Sequence, residues 1–231
     1  MNYGILEDQK SRVLFEEING HPRCDKCRSE RSDFKTKDKK GHGSYCILLP
    51  GFSSEKIKMP VDVLIVGEAH GGGDDDFRKQ GKLLNEVSKI TQYYRGLPDK
   101  SFHQQQVRVL LSRLDAIGMT WVFTDLIKCF IWHRADEDKK LNGRKNRKIA
   151  IEHCGGYLEE QIILLRPLKV LGLGNTVARY FGIDKPTHSD SCSVRIGNRQ
   201  AVYVHSLFPS QRTADLWVMK SGWEPVVKQL R

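Results

Sequence analysis

Val61 to Val66 is an apolar, β-branched run without polar alternation, the pattern of a strand buried on both faces. Trp121 to Lys128, Leu168 to Leu173 and Ala201 to Ser206 carry the same signal. Between and after them, apolar residues recur at helical spacing over Lys82 to Ile90, Val107 to Ile117, Tyr157 to Leu165, Thr176 to Phe181 and Thr213 to Lys220. Residues 5 to 18 read as an amphipathic helix that stops at Asn19-Gly20, whereas Arg28 to Lys40 and Asp136 to Lys148 are polar, basic runs predicted as loops. Strands alternating with helices predict an α/β fold, a three-layer αβα sandwich around a central, mostly parallel four-stranded sheet. No repeat or linker divides the chain, so one domain is expected over residues 1 to 231, with a Cys-rich N-terminal extension.

Composition adds a partner class. The chain has 231 residues, a formal net charge of +10 and a pI near 9.3, a bias that attracts polyanions through counterion release and points to nucleic acid. The other source of such a bias is a generally basic, solubilising surface. No apolar run approaches the length of a membrane span, and Met1 to Asp8 lacks the basic and apolar regions of a signal peptide. A cytoplasmic monomer that binds DNA and no membrane is the expectation.

The first strand ends in Gly67-Glu68-Ala69-His70-Gly71-Gly72-Gly73-Asp74-Asp75-Asp76. Ligands of open α/β sheets bind outside the carboxyl ends of strands, and glycine lets backbone approach them closely, so this loop is the candidate active site. A solvated Gly/Asp turn is the plainer reading of the same residues.

Six cysteines in a chain expected to be cytoplasmic suit ligands or buried thiols better than disulfides. Cys24 and Cys27 form a CxxC clamp for zinc or an iron–sulfur cluster. The remaining ligands are either local, His42 and Cys46 in a zinc-knuckle spacing, or distant, Cys129 and Cys154. Spacing alone favours the local zinc site.

Four stretches together resemble a known family, the iron–sulfur (family 4) type of uracil-DNA glycosylase. Val66-Gly67-Glu68-Ala69-x-Gly71 followed by acids looks like its first motif. Val122-Phe123-Thr124-Asp125-Leu126-Ile127-Lys128-Cys129 is similar to its strand ending in Thr-Asn-x-x-Lys-Cys. Cys154-Gly155-Gly156-Tyr157-Leu158-Glu159-Glu160-Gln161 is similar to its Cys-x-x-Tyr-Leu-x-x-Gln helix, and Phe208-Pro209-Ser210 stands where the family has His-Pro-Ser. The resemblance implies a 4Fe-4S cluster on Cys24, Cys27, Cys129 and Cys154, which reverses the preference for local zinc. It also implies excision of a nucleobase that has been rotated out of DNA, in the setting of DNA repair.

In that chemistry a carboxylate stabilises an oxocarbenium-like sugar and orients the attacking water. Matching from Glu68, the family's acid falls on Asp74, with Asp75 second and Glu68 in the same catalytic group. Gly67, Ala69, His70 and Gly71 line the substrate, and Phe77 matches the aromatic that stacks on the extruded base, although the loop is shorter than usual and core packing would also account for Phe77.

Two departures bear on the base. The family's Asn, which reads uracil, is Asp125 here, and an ionised carboxylate accepts only, which suits the N4 amino group of cytosine. A protonated Asp125 would donate to N3 while accepting from N4; burial at a strand end favours the protonated form of a carboxyl. The family's His is Phe208, and His205 substitutes only if the loop is rearranged, a strand histidine with satisfied hydrogen bonds being the simpler reading. The triple glycine leaves room for a large 5-substituent. The expectation is a glycosylase for a 5-modified cytosine, suited to antiviral defence against modified phage DNA. The alternatives are ordinary uracil excision and a non-catalytic DNA binder. Lys145, Arg147 and Lys148, in the 25-position interval between Cys129 and Cys154, together with Ser210 and Arg212, are the candidate DNA contacts.

Overall fold

The computed structural model describes residues 52–54, 59–69, 102–127, 141–210 and 213–231. The predicted helices over 5 to 18 and 82 to 90 and the basic run 28 to 40 lie outside the described residues.

Four strands form the parallel centre of the sheet, β2 (Val63–Ala69), β3 (Trp121–Ile127), β4 (Lys169–Leu173) and β6 (Arg199–Ser206). Two more pair antiparallel at the edges, β1 (Phe52–Ser53) on β3 and β5 (Ser191–Ile196) on β6. The order is β1-β3-β2-β4-β6-β5. The four expected strands are thus the parallel centre, and among the described residues two antiparallel edge strands bring the sheet to six. β5 escaped notice because only Val194 and Ile196 on it are buried, and β1 is two residues long. Gly197, with φ of 57°, turns β5 into β6 in the type II′ manner, with positive φ confined to the first central position.

Helices α1 (Phe102–Ala116), α2 (Leu141–Leu165), α3 (Asn175–Tyr180), α4 (Ala214–Met219) and α5 (Glu224–Leu230) cover both faces. Leu64, Val66, Val122, Leu126, Val170 and Tyr203 pack against α2 and α3, while the alternate positions Val63, Ile65, Trp121, Phe123, Leu171 and Val204 pack against α1, α4 and α5. The period-two alternation of strands thus fills two cores from one sheet. The predicted loop 136 to 148 needs correction, since residues 141 to 148 form the first two turns of α2. Arg and Lys cost a helix little, and the packing of Ala150, Cys154, Tyr157 and Leu158 further along propagates the helix back through the charged run.

The amino ends of β2 and β3 are locked together. Asp62 Oδ2 accepts from the Thr120 backbone N at 2.7 Å and from its hydroxyl at 2.8 Å, and the Asp62 N–H returns a bond to Thr120 Oγ1 at 3.0 Å. On the α1 face, Trp217 Nε1 donates to Gln106 Oε1 at 3.1 Å and Trp223 Nε1 to the Gln106 carbonyl at 2.5 Å, which ties α1 to the C-terminal helices. Among the described residues no helix is long and apolar enough to cross a membrane.

Candidate functional site

All four parallel strands end at the same edge of the sheet, and the polar groups collect there. Gly67 on β2 lies directly opposite Asp125 on β3. Alternation from Ile65 and Phe123 puts both on the α1 face, where Gly67 is buried and Asp125 half-buried. A Cβ at Gly67 would collide with Asp125 Oδ1 and come within 3.5 Å of its Cγ and 3.6 Å of the Phe123 ring. Glycine at 67 is therefore what allows the carboxyl of Asp125 to lie across the end of β2. Gly67→Ala is expected to destabilise the chain by about 1–3 kcal/mol through this overpacking, and Gly67→Ala/Asp125→Ala to recover most of that loss in urea unfolding. Additive losses in the double variant would mean that the two positions do not share space.

Across the sheet, the chain leaving β6 builds a second element of the edge. Phe208 remains 36% exposed, yet its ring and its carbonyl are both held. His103, at the start of α1, stacks on it with ring centroids 4.4 Å apart and planes 21° from parallel. His103 also hydrogen-bonds the Pro209 carbonyl; because Nδ1 is buried without a partner among the described residues, Nε2 is the donor. The Thr213 hydroxyl donates to the Phe208 carbonyl at 2.8 Å and accepts from the Ser210 N–H at 3.0 Å. Gly174, with φ of 88°, gives its N–H to the Ser206 carbonyl at 2.8 Å, and a Cβ there would sit 3.3 Å from Phe208 Cβ. His188 accepts from the Leu207 N–H at Nδ1, 3.3 Å, and donates from Nε2 to the Gly222 carbonyl, 2.8 Å, which fixes its neutral tautomer. Burial keeps both His103 and His188 below the ordinary histidine range, outweighing the carbonyl bonds that pull the other way. The described part of the Phe208 loop, residues 207 to 210, is thus tied at several points and has no charged side chain of its own. Three strand spacings, about 14 Å, separate β3 from β6, with β2 and β4 between them.

The opposite face holds a different set. Glu68 falls there by alternation and is half-buried, while Thr124 donates to Gln161 Oε1 at 3.1 Å in the buried layer under α2. His205 is fully buried on this same face, stacked on Tyr203 with centroids 6.4 Å apart. The Tyr203 hydroxyl, kept protonated by burial, meets His205 Nδ1 at 3.5 Å and overlies Gly172, where a Cβ would lie 2.5 Å from the ring carbon Cζ. His205 Nε2 is buried with no partner among the described residues, and burial pushes the ring down to about 4. His205 therefore stands on the far side of the sheet from Asp125 and Phe208, and the geometry does not join it to them.

Of the proposed cluster ligands, Cys154 is described. It is buried on α2 in the same apolar cluster as Leu126 and Ile127 of β3, two residues short of Cys129. A thiol has the soft donor chemistry of an iron–sulfur or zinc ligand, and burial in an apolar cluster is equally the ordinary setting of an unligated cysteine. Tyr180 braces this turn of α2 by donating to the Gly155 carbonyl at 3.0 Å, and its ring lies 2.9 Å from where a Gly155 Cβ would be. Cys24, Cys27, Cys129, His42 and Cys46 lie outside the described residues, as do His70, Gly71, Asp74, Asp75, Phe77 and Arg212. Ala69 is described as strand backbone and Lys145 and Arg147 as helix backbone. Lys148 is exposed on α2 and lies 3.8 Å from Glu152, a solvent-facing pair of little energetic weight. Ser210, a predicted DNA contact, spends its N–H on Thr213 and has its hydroxyl 3.1 Å from the Thr213 hydroxyl. Among the described residues no three His, Cys, Asp or Glu side chains converge as a metal site.

His103, Gly174, His188 and Thr213 were not legible in the sequence as site residues. No local pattern marks them; each acquires its role by meeting the 206–210 segment in space. Scans of the chain against protein-family models and against curated proteins find no match.

Proposed function

We propose that the chain is a DNA glycosylase acting on a 5-modified cytosine. The observation that carries this reading is the Asp125 carboxyl seated over Gly67 at the carboxyl end of parallel strands, facing the α1 side of the sheet. The sequence resemblance supplies the reaction class and Asp125 the choice of base.

In this mechanism the target nucleotide rotates out of the DNA and its base enters between β3 and the Phe208 loop. Asp125 accepts from the exocyclic amino group, a donor that cytosine has and uracil lacks. The bond from C1′ to N1 breaks, its electron pair leaves with the base, which then takes up a proton from solvent water, and Asp74 or Asp75 stabilises the positive sugar. Water forms the new bond to C1′ and gives up its proton to the carboxylate. A 4Fe-4S cluster on Cys24, Cys27, Cys129 and Cys154 would act as a structural tie between the N-terminal segment, the end of β3 and α2. The basic charge of +10 supports a polyanionic partner, and defence against modified phage DNA suits such an activity.

The test is base release from matched duplexes carrying uracil, cytosine, 5-hydroxymethylcytosine or its glucosylated form, read by alkaline cleavage at the abasic site. Selective cleavage at a modified cytosine is the expected result. Cleavage at uracil alone would restore the ordinary repair reading, and salt-sensitive binding with no cleavage would make the chain a DNA binder without catalysis.

A further inference from the structure

A large aromatic side chain in a connecting segment is ordinarily buried, and Phe208 is not. More than a third of its surface is exposed, while a ring stack and a carbonyl bond hold it directly and bonds to its two neighbours hold the chain on either side. His103 covers one ring face, Thr213 holds its carbonyl, Gly174 admits its Cβ, the Pro209 carbonyl is anchored to α1, and His188 secures Leu207 just before it. Ordering an exposed apolar group in this way sacrifices freedom without removing the ring from water. The same arrangement is what a stacking platform requires, since a pre-positioned ring loses little further entropy when a planar ligand settles on it.

We infer that Phe208, backed by His103, is a stacking platform for an unpaired nucleobase, with His103 as the residue that positions the ring. The neighbouring chemistry favours a neutral planar partner. The described groups beside Phe208 are the His103 imidazole, the Thr213 hydroxyl bonded to its carbonyl, and the Gly174 backbone, so among the described residues the platform offers a π-face and no charged side chain. Phosphates would have to be met elsewhere on the basic surface. Base–aromatic stacking tolerates any base, so the platform contributes affinity and orientation, and discrimination is left to Asp125. This inference rests on the nucleic-acid reading of the site, and it needs no bond breaking.

The experiment titrates the full chain into a single-stranded oligonucleotide carrying one 2-aminopurine, whose fluorescence is quenched by stacking, at several fixed salt concentrations. Phe208→Leu is expected to weaken binding roughly tenfold and to lose the quench, with an unchanged salt slope, because stacking and phosphate contacts are separate contributions. Phe208→Trp should retain both affinity and quench. His103→Ala should weaken binding in step with Phe208→Leu, and His103→Phe, which keeps a ring behind Phe208, should restore it. Phe208→Leu binding and quenching within twofold of the unaltered chain overturns the platform, as does a Phe208→Trp that fails like Phe208→Leu. Wild-type affinity in His103→Ala overturns the positioning role. Stacking without base release from any duplex would leave the platform standing and remove the glycosylase; no binding to the oligonucleotide would remove the platform and leave the glycosylase to the duplex assay.

Discussion

Asp125→Asn is expected to lower release of the modified cytosine by roughly ten- to a hundredfold, the discrimination carried by one well-made base contact, and to raise release of uracil from a negligible level. The carboxyl lies on the α1 face at the end of β3, and the space beside it is kept open by Gly67. An asparagine fits the same space but presents an amide N–H₂ where the carboxylate presents an acceptor, so an amino group on the base meets a donor and a carbonyl oxygen meets a partner. Fold and stability should change little, because the substitution preserves volume. Single-turnover rates on the cytosine derivative and on uracil, measured side by side, give the ratio. A ratio that does not move removes Asp125 from base reading.

Acidification is expected to destabilise the protein by up to about 3 kcal/mol through His205 alone, between pH 6.5 and pH 4. Burial holds the folded ring at about 4, with His188 lowering it further and Asp190 pulling the other way, against an ordinary value of 6.5. The unfolded chain therefore binds a proton in this window that the folded chain refuses. The contribution is fully present above pH 6.5 and disappears as pH falls toward 4. His103 and His188, also lowered by burial, act in the same direction. Urea unfolding from pH 7 to pH 5 should show a steeper loss for the unaltered chain than for His205→Phe, which cannot titrate. Parallel slopes for the two proteins would show that His205 does not carry the effect.

Much of the framework was legible because buried parallel strands leave a dense local signal. Val63 to Val66, Trp121 to Ile127 and Val170 to Leu173 are nearly unbroken apolar runs, and each became a central strand. The edge strands were not legible, since β5 buries only alternate residues near its end and β1 is too short to show a period. Helix α5 was missed for a related reason, with Pro225 in its first turn and seven residues in all. At the site, Asp125 and Phe208 stood out as substitutions in motif-like stretches. His103 did not, because an isolated histidine opening an amphipathic helix has no distinguishing neighbourhood until Phe208, 105 positions later, stacks against it.

The arrangement of the sheet also fixes an order of assembly. β5 and β6 are neighbours in sequence across Gly197 and Asn198, and such a hairpin closes in about 1–10 μs. β2, by contrast, must be inserted between β3 and β4, and Val63 finds Lys169 more than a hundred residues along the chain. Pairings of that sequence separation are the slow ones. The edge that carries Gly67, Asp125 and Phe208 is complete only when β2 has been enclosed, so its geometry is expected to return with the slowest refolding phase.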